Sequence, residues 1–291
     1  DADHLACVTN IQYVTEVAKN FILEYELPEF EKEYVWQLRA VNVSAGGTTN
    51  VTVSGDMSTQ TATDSATYTW TGNGGADNRW TNPDNWTDDK GGDSLGYPQS
   101  ANAWASFKTD ARVNVDLPKT ATIKLRFNYA DKPTDVTFTS VNTNDYGLTL
   151  GSVYVPEKAG SRLTLDHVAM SRDTSFKWYA GTTLVLMNGA NYRQWGITLN
   201  DGFTLVIDNS TLTTAGAVTL NSDGGSDTRV LFKGAAPKWV EASSFKNAGG
   251  SVALDFLVPV DGWESAPIDA PNSGSVMLTG GSSCTFNVCV D

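Results

Sequence analysis

The second half of the chain repeats one pattern of apolar and polar positions at an interval of 21 residues. In each copy a glycine precedes a short strand by three residues, as in Leu163-Thr-Leu165, Leu184-Val-Leu186 and Leu205-Val-Ile207. Looser copies follow at Val230-Leu-Phe232 and Val252-Ala-Leu254. Each coil of a β-solenoid must re-enter the same wall with the same face inward, and such a repeat is its sequence signature. We predict an all-β chain built around a right-handed parallel β-helix.

A second set of positions lies in register with these strands. His167, Asn188 and Asn209 each fall four residues after the first apolar residue of their strand. Equal register stacks them about 4.8 Å apart, the distance between neighbouring strands. Asn side chains tolerate unusual turn geometry, and amides stacked in this way can hydrogen-bond along the column. We predict a structural turn ladder at these three residues and no catalytic or ligand role for His167.

Residues 67–109 are rich in tryptophan and predict a cap on the N-terminal end of the β-helix. Trp70, Trp80, Trp86 and Trp104 are separated by turn residues and supply large apolar surfaces where the strands are short. A solenoid needs such a cap to keep water from the end of its core and to block pairing between exposed strand edges. An exposed aromatic platform for sugars is the alternative interpretation.

The cap segment resembles the opening of β-helical repeats in large bacterial surface proteins and autotransporter passengers. The resemblance rests on Trp70-Thr-Gly72, Asp77-Asn-Arg-Trp80, the Asn85-Trp86 pair and the stretch that ends at Phe107. The cap match covers about 40 residues, and the coils extend the resemblance to about residue 255. It implies a cell-surface location and a longer parent chain, but it implies no activity.

Residues 1–66 predict a separate small β module. Apolar residues alternate in the two segments 21–25 and 34–41 around a turn at Leu27-Pro28, which indicates an antiparallel pair with one buried face. Leu27-Pro28, Tyr34, the strand end Ala40-Val41-Asn42 and a small-residue loop resemble the second half of a fibronectin type III domain. The resemblance covers residues 20–65 and implies a partial, sandwich-like segment. In residues 67–291 we expect the cap (67–109), coils (110–260) and a C-terminal tail (261–291).

The composition of the chain limits the classes of partner that it is expected to bind. The net charge of its 291 residues is −13, so we expect repulsion from nucleic acid and from anionic membranes. No apolar run is long enough for a membrane span, and no signal peptide is visible, so we expect an excised piece of a longer secreted protein. Cys7, Cys284 and Cys289 are too few for a disulfide scaffold, and their pairing stays open.

The sequence offers little catalytic or metal-binding chemistry, and we predict no catalytic residues, metal or cofactor. With His4 and His167 alone, catalysis by Ser-His or Cys-His pairs is disfavoured, and no zinc or phosphate-loop motif occurs. Register places Asp166 and Asp208 two coils apart with an apolar residue between them. Their spacing is near that of an inverting glycosidase, but no third group joins them.

One aromatic group motivates a binding hypothesis. Trp178, Tyr179, Tyr192 and Trp195 lie outside the apolar triplets of two successive coils, and Lys177 and Arg193 flank them. Exposed rings would form a flat surface for sugar stacking, with the cations meeting acidic sugars. Core packing is the alternative interpretation of the same aromatic residues.

Three hypotheses of function follow from these patterns. The first is a non-enzymatic extracellular β-helix region of a larger bacterial protein that serves adhesion, display or spacing, with glycans or a host surface as partners. The second is a carbohydrate-binding region of a polysaccharide-degrading enzyme. The third is a lyase or glycosidase, which the missing acid cluster disfavours. The sequence does not indicate an oligomeric state.

Overall fold

The chain divides into two compact units, Asp1–Ala62 and Thr63–Asp291. The computed structural model describes residues 33–36, 39–43, 47, 49–53, 57–60, 64–90, 95–127, 130–222, 227–240, 245–257, 268–269, 276–278 and 283–288. The predicted segment 21–25, the turn at Leu27-Pro28, Cys7 and Cys289 lie outside the described residues. None of the described residues form a helix long and apolar enough to span a membrane.

The described residues of the first unit form two antiparallel strand pairs. Strand β1 (Glu33–Trp36) pairs with β4 (Met57–Gln60), and β2 (Arg39–Val43) pairs with β3 (Thr49–Val53). Gly47 lies in the β2–β3 loop with φ 78°, a left-handed conformation that glycine adopts without steric cost. The resemblance to fibronectin type III stays a prediction.

The second unit is a parallel β-helix with three walls. The first wall comprises β8 (Ala111–Asn114), β10 (Asp135–Thr139), β12 (Arg162–Asp166), β15 (Thr183–Met187), β18 (Thr204–Asp208), β21 (Thr228–Lys233), the end of β23 (Phe245–Phe256) and β26 (Ser283–Val288). Every pairing between neighbours in this wall is parallel.

The second wall follows the first in each coil. It comprises β5 (Thr67–Trp70), β7 (Trp104–Ser106), β9 (Thr122–Arg126), β11 (Gly147–Tyr154), β13 (Ala169–Arg172), β16 (Asn191–Gln194), β19 (Thr211–Thr214), β22 (Lys238–Val240) and β24 (Ile268–Asp269). Strand β6 (Trp86–Asp88) adds to β5 in the antiparallel direction. The third wall comprises β14 (Phe176–Trp178), β17 (Ile197–Leu199), β20 (Val218–Ser222), the start of β23 and β25 (Val276–Leu278).

The predicted register of the first wall is confirmed. Leu163 pairs with Leu184, Leu184 with Leu205, and Leu205 with Val230. These side chains are buried and form one inward column. Burial of each such side chain stabilises the fold by about 1.5–3 kcal/mol. The parallel β-helix is therefore held by apolar columns that run from coil to coil.

The last predicted copy is out of register by two residues. Val230 pairs with Leu254 and Phe232 with Phe256, so the matching triplet begins at Leu254 and not at Val252. Because side chains alternate with period two along a strand, Val252 and Leu254 both still point inward and both are buried. For the first-wall segment of β23 the predicted inward face is therefore correct, and the predicted register is wrong.

An aromatic cluster fills the N-terminal end of the β-helix. The Trp86 ring lies 5.0 Å from the Trp70 ring, 4.9 Å from Trp80 and 5.7 Å from Phe107, measured between centroids. All four side chains are buried. The sugar-platform interpretation is wrong for the three tryptophans because their rings face the core, where they pack edge to face.

The cap also covers the first strand edges of two walls. Strand β6 occupies the outer edge of β5 in the second wall. In the first wall, Trp80 N donates to Asn114 O at 2.8 Å, and Asn114 N donates to Asn78 O at 2.9 Å. These two bonds form a bridge between the cap and Asn114, the last residue of β8. A paired edge offers no template for another chain.

Asn85 organises the backbone of the cap. It ends a one-turn 3₁₀ helix (Pro83–Asn85) and is fully buried. Its Oδ1 accepts from Gly74 N at 2.9 Å, while Nδ2 donates to Asp77 O at 2.7 Å and to Arg79 O at 3.0 Å. One amide thus satisfies three backbone groups of a segment that lacks regular pairing.

Candidate functional site

The three residues of the predicted turn ladder stand in one column at the corner between the first and second walls. His167, Asn188 and Asn209 have φ of 54°, 56° and 46°, the left-handed conformation. Gly234, with φ 76°, occupies the same station in the next coil. A left-handed residue turns the chain sharply from one wall to the next, and Asn and Gly adopt it most readily.

The hydrogen bonds of this column differ from a ladder of stacked side-chain amides. His167 Nδ1 lies 3.0 Å from Asn188 O, and because a carbonyl only accepts, Nδ1 carries the proton of that bond. Asn188 Nδ2 donates to Asp166 Oδ1 at 2.7 Å, and Asn209 Oδ1 accepts from Ala236 N at 3.0 Å. The side chains therefore bind groups of adjacent coils and hold the corner together.

Two of the predicted sugar-binding aromatics are buried. Trp178 packs against Phe203 with ring centroids 5.4 Å apart, and Tyr192 donates from Oη to Gln194 Oε1 at 2.5 Å. Burial raises the pKa of Tyr192 well above its ordinary value. The platform hypothesis is wrong for Trp178 and Tyr192, because both occupy inward positions of β14 and β16.

The other two predicted aromatics are exposed at different corners. Tyr179 follows β14, between the third and first walls, and is 43% exposed. Trp195 lies between β16 and β17, at the junction of the second and third walls, and is 53% exposed. Arg193 Nη1 lies 3.3 Å from Asp173 Oδ1. The predicted residues therefore do not share one surface.

The predicted acid pair lies as its register requires. Asp166 pairs with Met187 and Met187 with Asp208, so an apolar residue separates the two acids. Asp166 accepts from Asn188, and Asp208 lies 3.8 Å from Lys233 Nζ. Across the described part of the chain, no three His, Cys, Asp or Glu side chains gather in a group that could hold a metal ion.

An aromatic pair on the outer face of the second wall was not predicted. Trp104 of β7 and Tyr154 of β11 stack with centroids 5.2 Å apart and an interplanar angle of 16°. Strand β9 runs between them, so one or both side chains reach across it. Tyr154 is 48% exposed and Trp104 is partly buried. This pair presents aromatic surface outside the core.

Two cations accompany the aromatic pair. Lys124 Nζ lies 5.7 Å and Arg126 Cζ 5.1 Å from the centroid of the Trp104 ring. Both distances lie within the range of cation–π attraction. We refer to Trp104, Lys124, Arg126 and Tyr154 as the aromatic–cationic patch.

The aromatic–cationic patch continues into an open groove. The groove has a volume of about 360 Å³ and shares Arg126 with the patch. Its other lining residues are Thr67, Thr69, Thr87, Asp88, Asp89, Ser106 and Lys108. A second open groove of about 330 Å³ lies on the first wall, lined by Asp110, Ala111, Arg112, Asp135 and Thr137.

The spacing of the patch explains why sequence reasoning missed it. Trp104 pairs with Lys124, 20 residues later, but Arg126 pairs with Tyr154, 28 residues later. A bulge between Leu150 and Ser152 shifts the register within β11. No fixed interval therefore marks these positions.

Comparison with known proteins gave no relative: no family model, no curated protein and no solved structure matches the chain.

Proposed function

We propose that the chain is a non-enzymatic extracellular β-helix region of a larger bacterial surface protein, and that it serves display, spacing or adhesion. The observation that carries the proposal is the unbroken parallel register of the first wall from β8 to β26. Among the described residues, eight strands make this wall. Seven spacings of about 4.8 Å give roughly 34 Å of stacked length.

Stacked coils suit a spacer because the strands of each coil are bonded to those of the next coil in two or three walls. The three walls and the corner column at His167, Asn188 and Asn209 supply these bonds. Loss of one coil leaves the contacts between the remaining coils intact, as in other repeat architectures. A spacer role, which depends on shape alone, therefore tolerates changes in the number of coils.

The extracellular location rests on composition and resemblance. A net charge of −13 keeps such a chain soluble and discourages association with anionic surfaces. The resemblance of the cap segment to surface-protein repeats implies the same location. Neither point implies an activity.

The predicted sugar-binding residues do not support the alternative, which is a carbohydrate-binding region of a polysaccharide-degrading enzyme. Trp178 and Tyr192 are buried, and Tyr179 and Trp195 occupy separate corners. A glycan-binding role is favoured by one different observation, the aromatic–cationic patch.

Removal of one complete coil tests the spacer proposal. Deletion of residues 183–203 joins Thr182 to Thr204, which restores the native Thr-Thr junction in register. We expect an all-β circular dichroism spectrum and cooperative thermal unfolding close to those of the unmodified chain. Deletion of residues 183–193 alone is the control, and it should unfold the β-helix because it throws the walls out of phase. Equal damage from both deletions would contradict the proposal.

A turnover assay tests the non-enzymatic part. The full chain is incubated with a panel of neutral and acidic polysaccharides, and new reducing ends and unsaturated uronate products are measured. We expect no product above the buffer control. Product that scales with protein concentration and disappears on heat denaturation would contradict the proposal.

A further inference from the structure

We propose that the aromatic–cationic patch binds a polyuronic acid, a polysaccharide whose sugar rings each carry one carboxylate. In this arrangement a sugar ring lies against the aromatic surface of Tyr154, and carboxylates lie beside Lys124 and Arg126. The inference goes beyond the spacer role, and its failure would leave that role unaffected.

Tyr154 supplies the exposed aromatic surface of the patch. Tyr154 stacks on Trp104 and still leaves 48% of its surface in solvent. The stack holds both rings in fixed orientations, so little conformational freedom is lost when a ligand binds. The apolar face of a sugar ring matches such a surface, as aromatic side chains do in ligand sites generally.

Lys124 and Arg126 supply the positive charge of the patch. Lys124 Nζ donates to Asn102 Oδ1 at 3.3 Å, and Arg126 Nη2 donates to Thr67 Oγ1 at 2.5 Å. Asn102 is a neutral acceptor, so this bond leaves the positive charge of Lys124 in place. On a chain of net charge −13, two cations beside exposed aromatic surface form a local site for an anion.

The shape of the site favours a polymer. Thr67, Trp104 and Lys124 pair across adjacent strands, as do Ser106, Arg126 and Tyr154. From β5 to β11 the surface spans three strand spacings, roughly 14 Å. The adjoining groove is open and adds the hydroxyls of Thr69 and Thr87 and the cation of Lys108. A shallow, extended surface of this kind suits a chain of sugars better than an enclosed small molecule.

The acids at the end of the groove favour a moderately charged ligand. Asp88 and Asp89 line the groove on the β6 side, and Asp89 Oδ1 accepts from Thr67 N at 2.8 Å. These carboxylates repel a densely charged chain. One carboxylate per ring fits this balance better than several sulfates per disaccharide.

The test uses the full chain and titration calorimetry with polygalacturonic acid oligomers. The same oligomers with methyl-esterified carboxylates are the neutral control. We expect binding of the acid form, weakening of that binding as salt is raised, and loss of binding on esterification. Tyr154→Ala and Lys124→Gln should each reduce affinity by about tenfold.

Matched variants keep the test decisive. Trp195→Ala removes a similarly exposed aromatic at another corner and should leave affinity unchanged. Lys124→Arg keeps the charge and should retain binding if the charge is what matters. Thermal unfolding checks that each variant folds, and if Tyr154→Ala unfolds, the two Lys124 variants decide. The proposal is overturned by absent binding, by equal binding of the esterified oligomers, by tighter binding of a sulfated glycan, or by wild-type affinity in the folded Tyr154→Ala or Lys124→Gln variant.

Discussion

Asn188 Nδ2 donates a hydrogen bond of 2.7 Å to Asp166 Oδ1, which joins two successive coils at a corner of the β-helix. Asn188 also adopts φ 56°, so it supplies both a left-handed turn and a bond to the neighbouring coil. These two contributions can be separated by substitution.

Asn188→Ala should lower the free energy of unfolding by about 1–2 kcal/mol, because alanine tolerates the left-handed conformation poorly and removes the bond to Asp166. Asn188→Gly keeps the conformation and removes only the bond, so it should cost less. Chemical denaturation of the three proteins gives the comparison. A glycine variant less stable than the alanine variant would show that backbone strain is not the main cost.

Gly234 and Gly75 form a matched pair for a second prediction. Both have positive φ, but a Cβ at Gly234 would lie 2.4 Å from Asn209 Oδ1, whereas a Cβ at Gly75 would meet no atom within 4 Å. Gly75→Ala should cost about 1–2 kcal/mol from backbone strain alone. Gly234→Ala should cost at least about 1 kcal/mol more, because Asn209 must leave Ala236 N.

The additional loss of stability in Gly234→Ala should depend on Asn209, which occupies the corresponding position in the preceding coil. In an Asn209→Gly background the Cβ meets no Asn side chain, so Gly234→Ala should cost no more than Gly75→Ala. The free energies of unfolding of the single and double variants measure the coupling. An excess that persists in the Asn209→Gly background would rule out contact between the two positions as its cause.

Asn85→Ala should destabilise the cap by about 2–3 kcal/mol, because it removes three hydrogen bonds to the backbone of residues 74, 77 and 79. Loss of the cap exposes the edges of β5 and β8, so the variant should also self-associate on warming. Thermal unfolding and light scattering measure the two effects. Asn82→Ala is the control, since Asn82 is less buried, and it should cost about 1 kcal/mol without self-association.

The buried hydroxyl of Tyr192 should make the stability of the fold depend on pH in the alkaline range. Burial raises the pKa of its hydroxyl in the folded state, whereas the unfolded chain ionises near the ordinary value of 10. Stability from this group is therefore complete below about pH 10 and is lost as pH rises toward the folded pKa. Tyr192→Phe should be less stable at neutral pH because it loses the bond to Gln194, but its stability should fall less steeply above pH 10. Parallel alkaline slopes in denaturation curves would contradict this assignment.

The first wall could be predicted from sequence because its coils have equal length. Leu163, Leu184 and Leu205 recur at one interval, and so do His167, Asn188 and Asn209. The register failed at Val252, where β23 runs for 12 residues from the third wall into the first without a turn to mark the change. Gly249 and Gly250 lie at this junction, but β23 continues through them, so the glycines do not mark where the first-wall segment begins.

The aromatic residues were harder to assign for a physical reason. Trp178 and Tyr192 belong to strands of three and four residues, which are too short for alternation to reveal their inward phase. Trp104 and Tyr154 meet across an intervening strand in coils of unequal length. Such contacts depend on the register of neighbouring coils, which the sequence does not mark there.

Distances between spin labels along one column test the stacking of coils most directly. Arg112, Val206 and Leu231 share an outward column of the first wall. With the native cysteines replaced by serine, labels at Arg112→Cys and Leu231→Cys should give a narrow distribution near five strand spacings, roughly 24 Å between backbones. Moving the second label to Val206→Cys should shorten the distance by about 4.8 Å. Broad distributions, or no shortening between the two pairs, would contradict the stacked β-helix.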